Sequence, residues 1–397
     1  MMMEYIRVGT DYFKIADKPL LSGDTMSTLI KWNKGEIITD HGKDYIDGIS
    51  KYDGFVTMPS NVAYEKVIKG FYNEYHQINH SLEKGSFHKT IAFLKHVFGD
   101  QYNIGLDYLT ILWQYPTQVL PILCLVSEDR KTGKTTFLNW LKSIFQQNMT
   151  INKNEDFRSQ FNADWATKLI IAIDEVLLDR KEDSERIKNL STSRSFKTEN
   201  KGKDKVETPF FGKFILCSNN EDNFILIDEK EIRYWVRKIP SIEDSNENTN
   251  LLEDLEEEIP RFLYFLNSRK PSTKKTSRMW FSKDEIKTEA LSKLMKGNKT
   301  YLEREISEIL VDDFSRFDKE TICYSASDLV EKLKNNNIRV SSFKVSEILK
   351  SKFGLLQKNS SYKRFHLSTI PSINDKYIVE ETLVKGRYFE FNKEDVK

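Results

Sequence analysis

The chain has 397 residues, a net charge of +1, and 39% hydrophobic against 30% charged residues. This length excludes a single small module and predicts two or three domains, each large enough to bury its own core. No apolar run approaches the roughly 20 residues that cross a bilayer, and the N-terminus lacks an apolar signal core. The sequence therefore predicts a cytoplasmic protein with no membrane partner.

The cysteines are predicted to be free thiols rather than disulfides. They lie far apart in the sequence, in apolar or mixed surroundings, and they do not have the spacing of metal ligands. They are Cys124, Cys217 and Cys323.

Residues 1–100 are predicted to form a flanking domain without a catalytic cluster. From Tyr5 to Pro59, short alternating segments between glycine, proline and aspartate residues predict a small, partly β region. From Asn61 to Phe98, apolar residues recur at helical spacing and predict helices. The histidines of this stretch have no cysteine or suitably spaced carboxylate nearby, so a zinc site is not predicted. They are His76, His80 and His88.

The segment from Val119 to Ile144 is predicted to be a strand, a polar loop and a helix, an arrangement that binds phosphate. In this loop Gly133 allows a phosphate close to the backbone, Lys134 supplies a cation, and Thr135 offers a hydroxyl group to magnesium. The usual pattern has a further glycine where this chain has Glu128, so the match is partial. The predicted nucleotide contacts are Thr132, Gly133, Lys134, Thr135 and Thr136.

The run LIIAIDEV, from Leu169 to Val176, predicts a buried strand of a parallel sheet that ends in two acids. Ligands of α/β sheets bind at the carboxyl ends of the strands. Asp174 is therefore predicted to hold magnesium, and Glu175 to orient and deprotonate an attacking water. The alternative is that the two acids cap a following helix, but a phosphate loop 40 residues upstream (174 − 134) favours chemistry.

The next segment alternates polar and apolar residues and turns at Asn200 to Gly202, which predicts a β-hairpin. Its tip carries lysines, Lys201 and Lys203 among them, and by themselves such lysines are typical of a solvated edge that protects an exposed strand. The strand after it, Lys213 to Cys217, ends near Asn219, whose amide can contact a γ-phosphate or the attacking water. A plain turn explains Asn219 equally well.

Two arginines follow, Arg233 and Arg237. Arginine is always charged and binds phosphate with two nitrogen atoms, so one of them can stabilise phosphoryl transfer. Surface ion pairing is the alternative. The acidic segment from Ser241 to Glu258 leads into a helix, and Arg269 to Ser277 is predicted to be a linker.

Residues 270–397 are predicted to hold this linker and a winged-helix-like domain. Two helices joined by a short turn are followed by strands that can pair as a wing. Serines are predicted to cap both helices, Ser327 the first and Ser341 or Ser342 the second.

A local excess of positive charge marks this C-terminal part. Between Lys334 and Arg364 lie eight basic residues and one acid. The excess favours contact with the phosphates of DNA, with Lys344 and Lys350 among the contacts. Because a winged helix can also bind protein, protein contact is the alternative.

Taken together, SEDRKTGKTT, LIIAIDEV, FILCSNN and EIRYWVRKIP resemble the motifs of helicase superfamily three in order and in spacing. Within this compact viral and plasmid branch of the AAA+ ATPases, the chain resembles the primase-associated helicases of phages and mobile elements, of the poxvirus primase-helicase type. The resemblance implies an α/β fold with an AAA+-type P-loop NTPase core and a parallel sheet over residues 101–269. An N-terminal mixed, partly helical domain and a C-terminal winged-helix-like domain flank this core.

The resemblance also implies roles for the residues of the nucleotide site. Lys134 and Thr135 become the nucleotide and magnesium contacts. Asp174 becomes the metal holder, and Glu175 the catalytic acid-base.

Further roles that the resemblance implies concern the neighbouring subunit and DNA. Asn219 matches the sensor at the end of the fourth core strand. Arg233, in preference to Arg237, matches a finger that reaches the neighbouring subunit's ATP. Lys201 and Lys203 match the hairpin that touches single-stranded DNA inside a hexameric ring.

The implied function is that of an ATP- and Mg²⁺-dependent DNA helicase, a homo-hexamer acting on single-stranded and fork DNA in a bacterial or phage-infected cell. Nothing before Ser127 has the closely spaced acids of a primer-synthesising site, so a primase partner is expected on another chain or in a longer fusion. The runner-up is an ATP-regulated initiator that binds an origin, and a third candidate is a translocase of double-stranded DNA. Glu175 favours the helicase over a pure nucleotide sensor, which needs no acid beside the metal-binding one.

Overall fold

The computed structural model of this protein describes residues 4–19, 25–158, 163–178, 180–198, 206–227, 231–242, 248–297, 301–336, 338–368 and 378–396. The chain divides into two compact units, residues 1–298 and 299–397. Several sheets alternate with helices, and one of the sheets is parallel, which confirms the predicted mixed α/β class. No helix in these described ranges is long and apolar enough to cross a membrane.

A small sheet opens the first unit. Its strands pair in the order β3-β2-β1-β4, and a single helix, α1, follows β3 in the chain. The bounds are β1 Tyr5–Val8, β2 Asp11–Pro19, β3 Thr25–Trp32, α1 Lys34–His41 and β4 Ser50–Tyr52. The partly β character predicted for this region is confirmed.

The helices predicted from Asn61 onward are wrong as far as residue 87. A second small sheet lies there, formed by β5 Phe55–Val56, β6 Val67–Ile68 and β7 Phe71–Asn73. Lys69 and Gly70 both adopt a positive φ, 47° and 85°, which fits a two-residue hairpin turn. Val67 and Phe71, which are four residues apart, therefore lie on either side of a turn. In this stretch the first helix begins at His88.

A five-stranded parallel sheet with the order β14-β8-β13-β10-β9 forms the centre of the first unit. All of its strands run in the same direction, so all of their carboxyl ends lie at one edge. The bounds are β8 Ile122–Val126, β9 Met149–Asn152, β10 Ile170–Ile173, β13 Lys213–Ser218 and β14 Tyr234–Lys238. Between β10 and β13 the predicted hairpin is present as β11 Ser195–Thr198 and β12 Val206–Pro209.

Helices cover both faces of this sheet. Leu123 and Leu125 of β8 contribute to the core on one face, and Ile122, Cys124 and Val126 to the core on the other. This alternation with complete burial explains why the strand is apolar throughout. The helices of this part are α2 His88–Phe98, α3 Tyr102–Gln114, α4 Lys134–Phe145, α5 Asn154–Arg158, α6 Ala163–Ala166, α7 Lys181–Leu190, α8 Leu251–Glu257, α9 Ile259–Ser268 and α10 Glu289–Gly297.

The segment Arg269 to Ser277, predicted to be a linker, is tied to α3 by the buried carboxylate of Asp107. An Arg269 Nη1 atom lies 2.5 Å from Asp107 Oδ1, and the amides of Ser272 and Thr273 donate to the same carboxylate at 2.9 and 2.7 Å. Buried charges require such partners. The segment therefore continues the first unit, which extends to residue 298.

A buried lysine marks the amino end of β13. The Lys213 amino group donates to the carbonyl oxygens of Pro116 and, at 2.6 Å, of Phe211, and burial lowers its pKa from 10.5 to about 7. Between pH 7 and 10.5 the lysine therefore carries its proton in the unfolded state but not in the folded state. The free energy of unfolding rises with pH over this range, and the buried lysine lowers it most below pH 7.

We expect the stability of Lys213→Met relative to the wild type to be highest at low pH, because methionine removes the buried charge. Its free energy of unfolding minus that of the wild type should fall by about 2 to 4 kcal/mol between pH 6 and pH 10. Denaturant titrations of both proteins at a series of pH values measure this difference. A difference that does not change with pH would contradict the assigned cost.

The described residues of the second unit form three α-helices and a three-stranded antiparallel sheet of order β15-β17-β16. The bounds are α11 Tyr301–Phe317, β15 Thr321–Tyr324, α12 Ala326–Asn335, α13 Ser342–Ser351, β16 Lys358–Leu367 and β17 Val379–Asn392. The residue capping α12 is Ser325 and not Ser327, because the Ser325 hydroxyl accepts from the Asp328 amide while the Asp328 carboxylate accepts from the Ser325 amide. Ser341 caps α13, as predicted.

Candidate functional site

The predicted phosphate loop joins the carboxyl end of β8 to the start of α4, at the edge where all strands of the parallel sheet end. The loop is anchored on both sides, since the Ser127 amide donates to the Ser218 carbonyl oxygen at 3.2 Å and the Ile242 amide to the Lys131 carbonyl oxygen at 3.0 Å. α4 begins at Lys134, so the free amides of its first turn face an anion placed at this edge.

Gly133 immediately precedes α4 in a left-handed conformation, with φ 83° and ψ 7°. A Cβ atom there would lie 3.1 Å from Cε2 of Phe93 in α2, so both the backbone and the space favour glycine. Glu128, at the place of the missing first glycine, is not among the residues with positive φ; Lys131 is, at 55°. The loop therefore needs left-handed residues at 131 and 133 but not at 128, which explains why it accepts glutamate.

The Lys134 side chain is buried beneath the loop. Its amino group donates to the hydroxyl oxygen of Ser127 and, at 3.1 Å, to that of Thr132. Burial lowers the pKa of Lys134, while the nearby Asp174 and Glu221 carboxylates favour its charged form. Its present partners are uncharged hydroxyl groups, so the cation can transfer to a phosphate without breaking a buried ion pair.

Thr135 and Asp174 meet although 39 residues separate them. The Thr135 hydroxyl donates to Asp174 Oδ2 at 3.1 Å, and Asp174 directly follows β10. A hydroxyl and a carboxylate oxygen beside each other form a donor set that suits Mg²⁺. These two residues are the metal ligands that the sequence predicts.

Glu175 lies next to this pair in a strained conformation. Its φ is 51°, which is uncommon for a residue with a side chain. The turn is held because the Glu175 amide donates to Asp174 Oδ1 at 3.0 Å and the Asn154 side chain donates to the Glu175 carbonyl oxygen at 3.2 Å. The side chain is exposed. Strain of this kind, over-determined by its surroundings, occurs at functional sites.

Asn219 is brought to the same edge, where it follows β13 with its side chain exposed. Its neighbour Asn220 shapes the turn, since Asn220 Oδ1 accepts from the amides of Asp222 and Asn223 at 3.0 and 3.1 Å. The side chain that forms the turn is therefore that of Asn220, whereas the sequence alone also permits Asn219 in this role.

Sequence reasoning missed a group of charges beside the loop. The Glu221 carboxylate is buried and lies 2.9 Å from the amino group of Lys238 and 3.5 Å from that of Lys293 in α10. Lys293 also lies 3.5 Å from Glu128. No local pattern indicates this group, because its four members come from four separate segments of the chain.

His96 is a second contact that the sequence did not indicate. It lies in the last turn of α2, and its Nε2 atom is 3.0 Å from the carbonyl oxygen of Thr132, within the loop. The helical apolar stripe around it predicts α2 but does not predict what α2 packs against.

Arg233 lies at the amino ends of the strands, on the opposite side of the sheet from the loop, which lies at their carboxyl ends. It precedes β14, whose register pairs Tyr234 with Ile122 and Lys238 with Val126, so about 16 Å of strand separates Arg233 from the loop. Its side chain is about one-third exposed, and its Nη1 atom lies 3.0 and 2.9 Å from the two carboxylate oxygens of buried Glu231. Arg233 cannot reach the loop of its own chain.

Arg237 is nearer to the loop, but its side chain is mostly buried. Its Nη1 atom donates to Asp100 Oδ1 at 2.9 Å and to Gln101 Oε1 at 3.2 Å. These contacts join β14 to the segment between α2 and α3.

The predicted DNA contacts fall in three places. Lys201 and Lys203 lie outside the described residues, between β11 and β12. Lys344 lies in the first turn of α13, 2.9 Å from Glu347, and Lys350 is exposed in its last turn.

Comparisons with known proteins give one family match and solved structures of similar fold. A family model described as a family of unknown function (DUF5906) matches residues 125–237, from β8 to β14. No curated protein matches the chain.

Solved structures with the same fold include the apo structure of the NrS-1 C terminal region (305-718), with a TM-score of 0.58 and 17% identity over 89% of this chain and 83% of that chain. The A form apo structure of the same region has a TM-score of 0.57 and 18% identity, over 87% of this chain and 82% of that chain. At such identities the likeness shows the fold.

Proposed function

We propose that this protein binds ATP at the loop between β8 and α4 and hydrolyses it. The observation that carries the proposal is the contact of Thr135 with Asp174 at 3.1 Å, beside a buried Lys134 at the start of a helix. These three groups match a magnesium nucleotide in charge and in chemistry. The strand order, with β8 between β13 and β14, fits the AAA+-type P-loop core that the motifs predict.

Magnesium fits the donor set of this site. Thr135 and Asp174 would hold the ion with oxygen atoms, the ligand type that it prefers. When bound, the ion would neutralise charge that develops on the phosphate oxygens.

The side chains of the chain divide the remaining work. Lys134 would leave the Ser127 and Thr132 hydroxyl groups and bind the terminal phosphates together with the amides of the first turn of α4. Glu175 would orient a water molecule and accept its proton as the oxygen attacks phosphorus. The bond from phosphorus to the leaving oxygen breaks, and the nucleoside diphosphate departs.

The loop contact of His96 can be tested through substrate affinity. We expect His96→Ala to raise the KM for ATP about three- to tenfold with little change in kcat, because one hydrogen bond to the loop is lost. His96→Gln, whose amide can still donate to the Thr132 carbonyl oxygen, should restore the KM. Equal losses of kcat in both variants would contradict a positioning role.

Arg233 is proposed to act on the ATP of a neighbouring copy. It lies at the amino edge of the sheet, so a head-to-tail contact can bring it to the nucleotide edge of the next subunit, and such contacts close into rings. A homo-hexameric ring is the assembly we propose. Arg237 is less suited to this role because its side chain is buried against Asp100 and Gln101.

We expect mixing of two inactive variants to restore activity. Arg233→Ala subunits and Glu175→Gln subunits should each hydrolyse ATP poorly, and mixed rings should recover part of the wild-type rate at interfaces that pair an intact Glu175 with an intact Arg233. Arg237→Ala serves as the control, since it retains Glu175 and Arg233 and should hydrolyse ATP without a second variant. No recovery despite proven subunit exchange would contradict action between subunits.

The proposed biological role is that of a DNA helicase in phage or mobile-element replication, working with a primase. The likeness to the NrS-1 C terminal region supports a replication protein, and the unit of residues 299–397 has the order of helices and strands expected of a winged helix. The runner-up is an ATP-regulated initiator, with a double-strand translocase as a third candidate.

Strand displacement separates these candidates. We expect ATP hydrolysis to be stimulated by single-stranded DNA and a forked duplex with a single 3′ or 5′ tail to be unwound. Hydrolysis without stimulation or unwinding would favour the initiator, and stimulation only by duplex DNA would favour the translocase.

A further inference from the structure

A groove in the second unit lies between the start of α12 and the outer face of α13. It is open to solvent, has a volume of about 600 Å³, and is lined by side chains that include Ser327, Phe343, Ser346, Lys350, Gln357 and Arg387. All of these come from residues 299–397. This groove is called the α12–α13 groove below.

The groove has the character of an anion site. α12 and α13 both begin at it, each with ten residues, so free amides of two helix N-termini face the same space. Lys350 and Arg387 line it, and neither has an acidic partner among the residues that the structure describes. The acid of the groove, Glu347, is already paired with Lys344 at 2.9 Å.

An aromatic side chain stands at the same place. Phe343 is 79% exposed, whereas Val345, Ile348 and Leu349 of the same helix are buried in the core. Fold stability does not require an exposed phenylalanine at the first turn of α13. A free ring beside unpaired cations is the combination with which proteins stack bases and hold the phosphates that connect them.

We propose that the α12–α13 groove binds single-stranded nucleic acid, with a base on Phe343 and the flanking phosphates on Lys350 and Arg387. The exposed ring favours a single strand over a duplex, because an aromatic side chain stacks on an unpaired base and the bases of a duplex are already stacked on one another. The inference deepens the DNA-binding part of the proposed function and gives the C-terminal unit a role in holding the unwound strand.

Binding of a fluorescein-labelled oligo-dT of about 12 nucleotides to the full chain tests the groove. Anisotropy is measured without ATP, in a Lys201→Ala/Lys203→Ala background, so the predicted hairpin does not contribute. Phe343→Ala should raise the Kd about tenfold without changing the salt dependence, and Phe343→Trp should retain affinity. Lys350→Ala/Arg387→Ala should weaken binding and reduce the slope of log K against log salt by about 1.4, or about 0.7 for each lost phosphate contact.

Val311→Ala is the control, because Val311 is an apolar residue of α11, 51% exposed, that does not line the groove. It should bind as the parent does. If Phe343→Ala leaves the Kd unchanged while the cation variant weakens binding, the site takes phosphate alone and the proposal is overturned. Tighter binding of a duplex of the same length, insensitive to Phe343, also overturns it.

The result is independent of the ATPase proposal. Single-strand binding that depends on Phe343, in a protein that does not hydrolyse ATP, would keep this inference and remove the proposed function. An active ATPase whose oligonucleotide binding ignores Phe343 would do the reverse.

Discussion

Replacing Lys134 by alanine should abolish ATP turnover while the protein stays folded. The amino group is buried beneath the loop at the start of α4, and its partners are two hydroxyl groups, so its removal breaks no buried ion pair. We expect kcat/KM to fall by about a thousandfold or more, since a charged contact to the transferring phosphate is lost. Steady-state hydrolysis measures the loss of turnover, and binding of a fluorescent ATP analogue measures the change in nucleotide affinity.

Lys153→Ala is a suitable control for this loss. Lys153 directly follows β9 at the same edge of the sheet, with β13 and β10 between it and β8, and it is exposed. It should hydrolyse ATP at the wild-type rate. Full activity in a folded Lys134→Ala protein, shown by an unchanged thermal transition, would remove the central proposal.

The parts of the fold that local patterns determine were predictable from the sequence. Ile122 to Val126 is apolar at every position because both faces of the strand are covered, and the strand lies in the segment for which the sequence predicts one. The acids after β10 and the glycine before α4 lie at one edge because parallel strands share their direction. Strand direction therefore brings Thr135 to Asp174, a contact between residues distant in sequence.

Other features depend on packing that no local pattern records. His96 contacts the loop only because α2 lies across it, and Glu221 meets Lys238 and Lys293 only because β14 and α10 converge there. Periodicity also misled at Val67 and Phe71, whose spacing of four arises from a hairpin with a two-residue turn. Apolar spacing alone does not separate a helix from two short strands, and the turn residues decide between them.

The substitution Glu175→Gln should separate nucleotide binding from hydrolysis. Glutamine has the size and hydrogen-bonding reach of glutamate, so the left-handed turn held by Asp174 and Asn154 should persist, with nucleotide affinity intact. An amide cannot accept the proton of the attacking water, and we expect kcat to fall by about a hundredfold or more. Glu155→Gln, the same change at an exposed position of α5 near this edge, should leave kcat unaltered.

The outcome also decides between the two main functional candidates. An initiator that uses ATP only to set its assembly needs Lys134 and the Thr135–Asp174 pair but no base, so Glu175→Gln would then bind ATP, assemble and turn over like the wild type. A helicase needs hydrolysis in every step along the strand, so the same variant should bind single-stranded DNA and ATP together yet fail to displace a strand. Binding, hydrolysis and strand displacement measured on one preparation of Glu175→Gln distinguish the initiator from the helicase. Only for a helicase do we expect binding to survive while hydrolysis and strand displacement are both lost.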